Sequence, residues 1–191
     1  MKLRSFISIE LPDELKTCLE EIQGELKKCK ADIRWVKTKN IHLTLKFLGN
    51  INETDTEAIT GVIRSACSKY QSFYLKVTGL GVFPGPRSPR VLWVGMDDSE
   101  ILGGLQDEID RGLASLGIER EKRKFSPHIT LGRFKSSRGR ELLLKKIPSL
   151  RGGGIGTINV KYVNLMRSDL HPDGARYSKI SEVALGCRDV P

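Results

Sequence analysis

Two stretches of this sequence combine residue types that can move protons and bind an anion. His42 and Thr44 stand in the stretch IHLTL, and His128 and Thr130 stand in PHITL, so both share the pattern histidine, apolar residue, threonine, leucine. The sequence contains three histidines in all, and two of them occur in this pattern, 86 positions apart. The repetition indicates that the two copies share a role.

The alternation of each stretch is typical of a β-strand with one apolar face. Because successive side chains of a strand point to opposite faces, His42, Thr44 and Lys46 are predicted on one face of the first strand. The opposite face then carries Ile41, Leu43, Leu45 and Phe47. The second strand is predicted to separate His128 and Thr130 from its apolar residues in the same way. A single amphipathic strand is common, so the repetition, and not either copy alone, favours a functional site.

Two imidazoles on opposite sides of a phosphate group could carry out acid–base catalysis together. One would take a proton from the attacking oxygen while the other gives a proton to the leaving oxygen. Histidine suits both roles, since its ordinary pKa of about 6.5 makes both protonation states accessible at neutral pH. The hydroxyls of Thr44 and Thr130 can donate to non-bridging phosphate oxygens, and a nearby Lys or Arg can offset the phosphate charge. This chemistry requires no metal ion and no cofactor.

Positive charge is concentrated around the second copy. The chain has 32 Lys or Arg and 23 Asp or Glu, for a formal net charge of +9. Residues 117–151 alone hold eleven Lys or Arg and three Glu. Such a basic stretch is typical of proteins that bind the phosphates of RNA or DNA, although it can also serve only solubility.

Length and composition narrow the class of protein. The 191 residues, 39% of them hydrophobic and 29% charged, suffice for a globular domain with its own core. No run approaches the roughly 18 apolar residues that a membrane span needs, and residues 1–11 are predicted as a strand, not a signal peptide. The cysteines lack C-x-x-C spacing, so we expect reduced thiols and a cytoplasmic protein. They are Cys18, Cys29, Cys67 and Cys187.

Hydrophobic periodicity predicts helices and strands in mixed order. Helices are predicted over residues 13–30, 54–70, 99–116 and 138–147, and Thr54 with Glu57 has the form of a capping box for the second. Apart from the two motif strands, strands are predicted over residues 4–10, 33–36, 73–82, 90–96, 155–167 and 175–185. Because the elements do not alternate strictly and the two halves are similar, we predict an α+β fold.

The arrangement that we expect is one bilobal domain over residues 1–191 with a pseudo-twofold axis. It should contain two mostly antiparallel sheets flanked by helices, with the active cleft between the lobes. The two His-x-Thr strands are expected to face each other across that cleft. We also expect the protein to be a monomer.

The sequence resembles the two-histidine phosphoesterase superfamily, and most closely the RNA 2′,3′-cyclic phosphodiesterases, also called 2′-5′ RNA ligases. The resemblance covers most of the chain and extends well beyond the repeated motif. The matching stretches read RSFI at 4–7, RWV at 34–36, HLTLKFLG at 42–49, PRVLW at 89–93, PHITL at 127–131, LMRS at 165–168 and GARY at 174–177.

The resemblance implies a function and a set of site residues. The function is metal-free hydrolysis of RNA 2′,3′-cyclic phosphate ends, such as those of tRNA fragments, to 2′-phosphates, with 2′-5′ ligation as the reverse reaction. His42 would be the proton donor and His128 the proton acceptor, with Thr44, Thr130 and Arg133 binding substrate. The family often has Ala-Arg after the second motif, and this sequence has Gly-Arg. Strict alternation points Arg133 away from His128, so its role requires a bulge or a strand end, which a glycine permits.

Two other classes of function are compatible with the residues. A nucleic-acid-binding module could use the basic stretch without catalysis, although both histidines and both threonines are present. A metal-dependent hydrolase could use His42, His128 and a carboxylate. The sequence offers little support for it, since no H-x-H or H-x-x-x-H spacing and no cluster of Asp and Glu occurs.

Overall fold

The architecture is described from a computed structural model for residues 1–97, 99–150, 154–172 and 174–186. Arg151 and Cys187, which were counted above, lie outside these ranges. Within them the strands are β1 (Lys2–Glu10), β2 (Ile33–Trp35), β3 (His42–Asn52), β4 (Phe73–Phe83), β5 (Val91–Met96), β6 (Ile129–Phe134), β7 (Gly154–Val160), β8 (Tyr162–His171) and β9 (Gly174–Ala184). The α-helices are α1 (Asp13–Lys27), α2 (Thr56–Cys67), α3 (Glu100–Ala114) and α4 (Arg140–Lys146).

The strands form one antiparallel sheet that is symmetric about its centre. Its order is β7-β4-β5-β6-β3-β1-β8-β9, with β2 also paired to β6. The central strands β3 and β6 carry the two His-x-Thr copies, and each has three further strands on its outer side. The predicted α+β class with mostly antiparallel pairing is confirmed. The two predicted sheets are continuous, however, because Leu43 pairs with Ile129, so the motif strands are neighbours and do not face each other.

Helices cover one face of the sheet and leave the other face open as a cleft. Helix α1 packs on β7, α2 packs on β8 and β9, and α3 packs on α2 and β3. Helix α3 begins where Ser99 caps it, since the hydroxyl oxygen of Ser99 accepts a hydrogen bond from the amide of Leu102 at 3.2 Å. Among the described residues, we find no helix with the length and apolar character needed to cross a membrane.

Two local predictions are wrong. The capping box before α2 is formed by Asn52 and Asp55, around a short 3-10 turn, and not by Thr54 and Glu57. The run 155–167 is two strands and not one. It divides at Lys161 into β7, which pairs with β4, and β8, which pairs with β1 on the other half of the sheet. Both strands alternate in hydrophobicity, so their periodicity alone does not reveal that the chain crosses between halves.

A β-bulge in β3 changes which side chains share a face. Thr44 and Lys46 pair with consecutive residues of β1, so Leu45 is an extra residue in its strand. Beyond this bulge the predicted alternation is reversed. Lys46 is buried on the helix-covered side, and Phe47 lies on the cleft side with 66% of its surface exposed. The predicted faces of these two residues are therefore wrong.

Lys46 is held in the core by a buried ion pair. Its ammonium group donates to the carboxylate of Asp110 on α3, and also to the carbonyl oxygen of Glu119 at 2.7 Å. The carboxylate of Asp110 further accepts from Nε of Arg120 at 3.2 Å and from the amide of Glu121 at 3.3 Å. Burial opposes ionisation of Asp110, but these hydrogen bonds outweigh it and lower its pKa. The cluster ties β3 to α3 and to the segment that precedes the second motif.

We expect Asp110→Ala to lower the free energy of unfolding by about 3–5 kcal/mol, because it leaves the Lys46 ammonium buried without its carboxylate. Urea unfolding at neutral pH measures the change. Because the folded pKa of Asp110 lies below its ordinary value of 3.8, the stabilisation is complete above that value and is lost as the pH falls through the folded pKa. The difference between wild type and variant should therefore shrink in strong acid.

The matched control is Asp13→Ala, which removes a carboxylate whose side chain is 94% exposed. Surface ion pairs contribute little, so this variant should unfold close to wild type. Similar stability of the two variants would contradict the importance of the buried pair.

Candidate active site

The two His-x-Thr copies meet at the centre of the sheet. Their strands pair through Leu43 and Ile129, whose side chains are fully buried. The residues on either side of this pair point to the opposite face, which is the floor of the cleft. Because the strands are antiparallel, continuing this register sets each histidine beside the threonine of the other copy. These floor residues are His42, Thr44, His128 and Thr130.

Both imidazoles are fixed by the same backbone contact. Nδ1 of His42 lies 2.8 Å from the carbonyl oxygen of Asn40, and Nδ1 of His128 lies 2.8 Å from the carbonyl oxygen of Ser126. A carbonyl oxygen can only accept, so Nδ1 carries the proton in each ring. Asn40 is itself anchored, because its side-chain amide donates to the carbonyl oxygen of Ala175 at 2.7 Å. Nε2 of each ring is left to exchange a proton with a ligand.

Aromatic rings enclose His42. The ring of Phe6 stacks on the imidazole with centroids 4.7 Å apart, and Tyr177 meets it edge-on at 5.4 Å. Burial lowers the pKa of His42, and the hydrogen bond to the Asn40 carbonyl raises it by less. Burial thus favours the neutral form of His42 in the free protein.

A different pair of rings supports His128. Phe83 contacts the imidazole edge-on at 5.0 Å and lies 4.9 Å from the ring of Trp93. Trp93 in turn lies directly over Gly81, where a Cβ would come within 2.3 Å of the indole. The backbones of the two motifs are thus alike, but the side chains around the two histidines differ.

A bulge turns Arg133 toward the cleft. Thr130 and Gly132 pair with consecutive residues of β5, so Leu131 is the extra residue of β6. Arg133 then lies on the same face as Thr130, and the bulge that its expected role requires is present. Burial raises the pKa of Tyr177, and the positive charges of Arg133 and Arg4 oppose that rise.

Gly132 is needed where it stands. A Cβ at this position would lie 2.5 Å from Cγ2 of Ile33 and 3.3 Å from the carbonyl oxygen of Arg34. Both neighbours belong to β2, which pairs with β6 beside the bulge. The glycine that departs from the usual family sequence therefore allows β2 to approach closely.

Two openings adjoin the floor of the cleft. A groove of about 1050 Å³ lies at the end marked by Thr44 and His128, and residues 119–126 form its wall. A pocket of about 170 Å³ lies beside His42 and Tyr177, with Glu10 in its lining. In the described parts of the chain, no three His, Cys, Asp or Glu side chains converge as metal ligands would.

The groups that position the histidines are not evident from the sequence. The two carbonyl acceptors belong to Asn40 and Ser126, each two residues before its histidine, and a backbone carbonyl leaves no mark on residue type. Phe6 on β1 and Tyr177 on β9 come from distant parts of the chain, and they meet at His42 because β8 pairs with both of these strands. The one available signal is the polar residue that both copies have two positions before the histidine.

Comparison with known proteins identifies the class. Residues 9–93 and 94–177 each match the LigT-like phosphoesterase family. The two matches span most of the chain, and the chain therefore belongs to the LigT-like phosphoesterase family. The resemblance seen in the sequence is confirmed, and each of the two matches contains one His-x-Thr copy.

Particular relatives match over nearly their whole length. The chain is 36% identical to the RNA 2′,3′-cyclic phosphodiesterase of Methanothermobacter thermautotrophicus over 178 residues, which cover 93% of this chain and 96% of that protein. It is 32% identical to the RNA 2′,3′-cyclic phosphodiesterase of Aquifex aeolicus over 186 residues, or 96% and 98% of the two chains. The crystal structure of E. coli LigT complexed with 3′-AMP is similar with a TM-score of 0.77 and 25% identity, covering 97% of this chain and 99% of that chain.

His42 should titrate in the free protein with a pKa below its ordinary value of 6.5, because burial favours the neutral ring. Phe6→Ala removes the stacked ring and admits water, so it should raise the pKa of His42 toward that value. NMR titration of the imidazole resonances measures both. Phe83→Ala is the matched control, since it removes a ring that contacts His128 and should leave the pKa of His42 unchanged. A wild-type pKa at or above 6.5 would contradict burial as the main influence.

Proposed function

We propose that this protein hydrolyses the 2′,3′-cyclic phosphodiester at the end of an RNA to a 2′-phosphate, with His42 and His128 as an acid–base pair. The observation that carries the proposal is the matched anchoring of the two rings. Each has Nδ1 bound to a carbonyl oxygen 2.8 Å away and Nε2 available on the cleft side. The similarity to proteins named RNA 2′,3′-cyclic phosphodiesterase supports the choice of substrate.

In the proposed reaction, water attacks phosphorus on one side while the 3′-oxygen leaves on the other. Neutral His128 takes a proton from the water through Nε2 as the new P–O bond forms. Protonated His42 gives its Nε2 proton to the 3′-oxygen as the P–O3′ bond breaks. The products are a 2′-phosphate and a 3′-hydroxyl, and proton exchange with solvent resets both rings. The family resemblance is the reason for assigning the donor role to His42.

The enclosure of His42 suits a proton donor. A bound phosphate brings negative charge beside the imidazole, which favours its protonated form and offsets the effect of burial on the pKa of His42. The same burial makes the imidazolium a stronger acid than an exposed one. Binding of the anion therefore favours protonation of the ring, and the protonated ring readily gives this proton to the 3′-oxygen.

Thr44, Thr130 and Arg133 are proposed to stabilise the phosphate. The two hydroxyls donate to non-bridging oxygens, and the guanidinium offsets the charge that grows on them during attack. The diagonal arrangement of the floor brings one hydroxyl beside each imidazole, so both ends of the phosphate have a donor. These groups and the two imidazoles supply every step, and the proposal requires no metal ion or cofactor.

The proposal extends to the reverse reaction and to the setting of the enzyme. When a 5′-hydroxyl replaces water as the nucleophile, the same proton transfers yield a 2′-5′ linkage. We propose that the enzyme works as a cytoplasmic monomer on RNA ends such as those of tRNA fragments. The cysteine spacing and the basic composition support this setting.

An oligoribonucleotide that ends in a 2′,3′-cyclic phosphate should be converted to a 2′-phosphate, because the 3′-oxygen is the proposed leaving group. Phosphorus NMR of the product, compared with synthetic 2′- and 3′-phosphates, identifies the isomer. His171→Ala, which changes a histidine outside the cleft, is a control and should give the same product at the same rate. A 3′-phosphate product would contradict the proposed leaving group.

Hydrolysis of the same substrate should be unaffected by excess EDTA, because the two imidazoles carry out both proton transfers. Initial rates before and after EDTA treatment, followed by dialysis against metal-free buffer, measure this. Loss of activity that returns when Zn²⁺ or Mn²⁺ is added would replace the proposal with a metal-dependent one.

A further inference from the structure

The two copies of the motif differ at one position on the cleft floor. In each strand a bulge, at Leu45 or Leu131, brings the residue five positions after the histidine onto the cleft face. That residue is Arg133 in the second copy and Phe47 in the first. Phe47 exposes 66% of its surface, and its ring centroid lies 6.3 Å from that of Phe6. The counterpart of a proposed phosphate-binding guanidinium is thus an exposed aromatic ring.

The segments that precede the two motifs also differ. In the first half, residues 33–35 form β2 and pair with β6 beside Arg133. The segment at the same distance before His128, residues 119–121, adds no strand to β3. Hydrogen bonds to Asp110 of α3 and to the buried side chain of Lys46 hold this segment beside α3 instead. The groove of about 1050 Å³ occupies the space between this segment and the floor.

The groove combines an aromatic floor with a basic wall. Arg90, Arg123 and Lys124 line it and form no ion pair with any residue that the structure describes. Two carboxylates also line it: Glu119 pairs with Lys122 at 2.9 Å, and Glu121 accepts from the amide of Arg123 at 3.3 Å. The unpaired cations therefore dominate, which suits a polyanion.

This step rests on the proposed function. Given that function, the position of the groove determines which part of an RNA it can bind. Attack and departure occur on opposite sides of phosphorus, with the 3′-oxygen on the His42 side. The group on the His128 side is the nucleophile, and water alone needs no groove of this size or charge. A second RNA strand that supplies its 5′-hydroxyl as the nucleophile does need such a groove. The pocket of about 170 Å³ beside His42 is too small for such a strand and includes Glu10.

We propose that the groove binds the RNA strand whose 5′-oxygen lies on the His128 side of the phosphorus. This is the 5′-hydroxyl strand when a 2′-5′ bond forms, and the departing strand when that bond is opened. In the opening step, the 3′-hydroxyl attacks phosphorus and gives its proton to His42, while the 5′-oxygen leaves with a proton from His128. Phe47 stacks on the first base of this strand, and Arg90, Arg123 and Lys124 contact its later phosphates.

The residue types match those that hold single-stranded nucleic acid. Such proteins combine a basic groove along the backbone with aromatic rings that stack on bases, and loss of one ring weakens binding by roughly 5- to 100-fold. Phe47 can take this role because its exposed ring needs no rearrangement to meet a base. Along β3, Phe47 is the next residue after Thr44 to face the cleft. It therefore lies just beyond the floor residues, where the nucleoside next to the phosphate would bind.

Two ligands that differ on the His128 side test the assignment. Adenosine 2′,3′-cyclic phosphate has no nucleoside on the His128 side of the phosphorus, whereas a 2′-5′-linked adenylate trinucleotide places two nucleosides on that side. The inhibition constant of the trinucleotide against hydrolysis of the cyclic mononucleotide should rise roughly 5- to 100-fold in Phe47→Ala, while kcat and KM for the cyclic mononucleotide stay close to wild type. Phe47→Trp should restore the inhibition. Tyr74→Ala, which removes an aromatic ring that is 72% exposed on β4, is the matched control.

The basic wall has its own matched pair of variants. Arg123→Gln combined with Lys124→Gln should weaken trinucleotide inhibition and reduce its dependence on salt, since fewer counterions are released. Arg64→Gln combined with Lys145→Gln removes the same charges from α2 and α4 and should change neither.

Three other results are possible, and each contradicts one specific part of the proposal. An inhibition constant that is the same in wild type and Phe47→Ala overturns the proposed site. If Phe47→Ala instead raises KM for an oligonucleotide that ends in a cyclic phosphate, relative to the mononucleotide, the groove holds the strand that carries the cyclic phosphate. A wild-type protein that leaves adenosine 2′,3′-cyclic phosphate intact overturns the proposed function alone, and equilibrium dialysis of the trinucleotide then tests the groove with the same variants.

Discussion

The pairing of Leu43 with Ile129 is the constraint on which the whole cleft depends. It joins the two halves of the sheet, and because both side chains are buried, the residues on either side of them must face the cleft. A slip of one residue by either strand would turn the histidine of that strand toward the core. The antiparallel direction of the strands also determines the diagonal arrangement, in which each histidine lies beside the threonine of the other copy.

In each motif strand, the bulge that follows this pairing separates two parts of the strand that have different roles. Before the bulge, the strand presents a histidine and a threonine to the cleft. After it, Lys46 turns into the core, where Asp110 neutralises it, and the residue five positions after each histidine turns outward. The two halves share this backbone but carry Phe47 in one case and Arg133 in the other. A symmetric fold thereby gives the two ends of the cleft unlike properties, which suits the proposed reaction with its distinct attacking and leaving groups.

Much of this arrangement could be predicted from residue types and spacing, and the rest depends on contacts between distant parts of the chain. The repeated pattern indicates two strands with a histidine and a threonine on one face, and the family resemblance that it supports is confirmed. Periodicity also locates the helices to within a few residues. It fails at Lys46 and Phe47, because an extra residue in one strand is visible only in its pairing with another. It fails again at Lys161, where an unbroken alternating run passes from one half of the sheet to the other. The carbonyl acceptors of the histidines are likewise invisible in the sequence, since every residue has such a group.

The central claim is that His42 and His128 act as one acid–base pair, and single-turnover hydrolysis of an oligoribonucleotide with a 2′,3′-cyclic phosphate end tests it most directly. His42→Ala and His128→Ala should each slow the chemical step by roughly 10²- to 10⁴-fold. Groups that act as a unit are not additive, so the double variant should be little slower than the slower single variant. Binding of the substrate should persist in all three, because the threonines and Arg133 remain. Near wild-type turnover in either single variant would contradict the account, and so would a double variant whose loss equals the product of the two single losses.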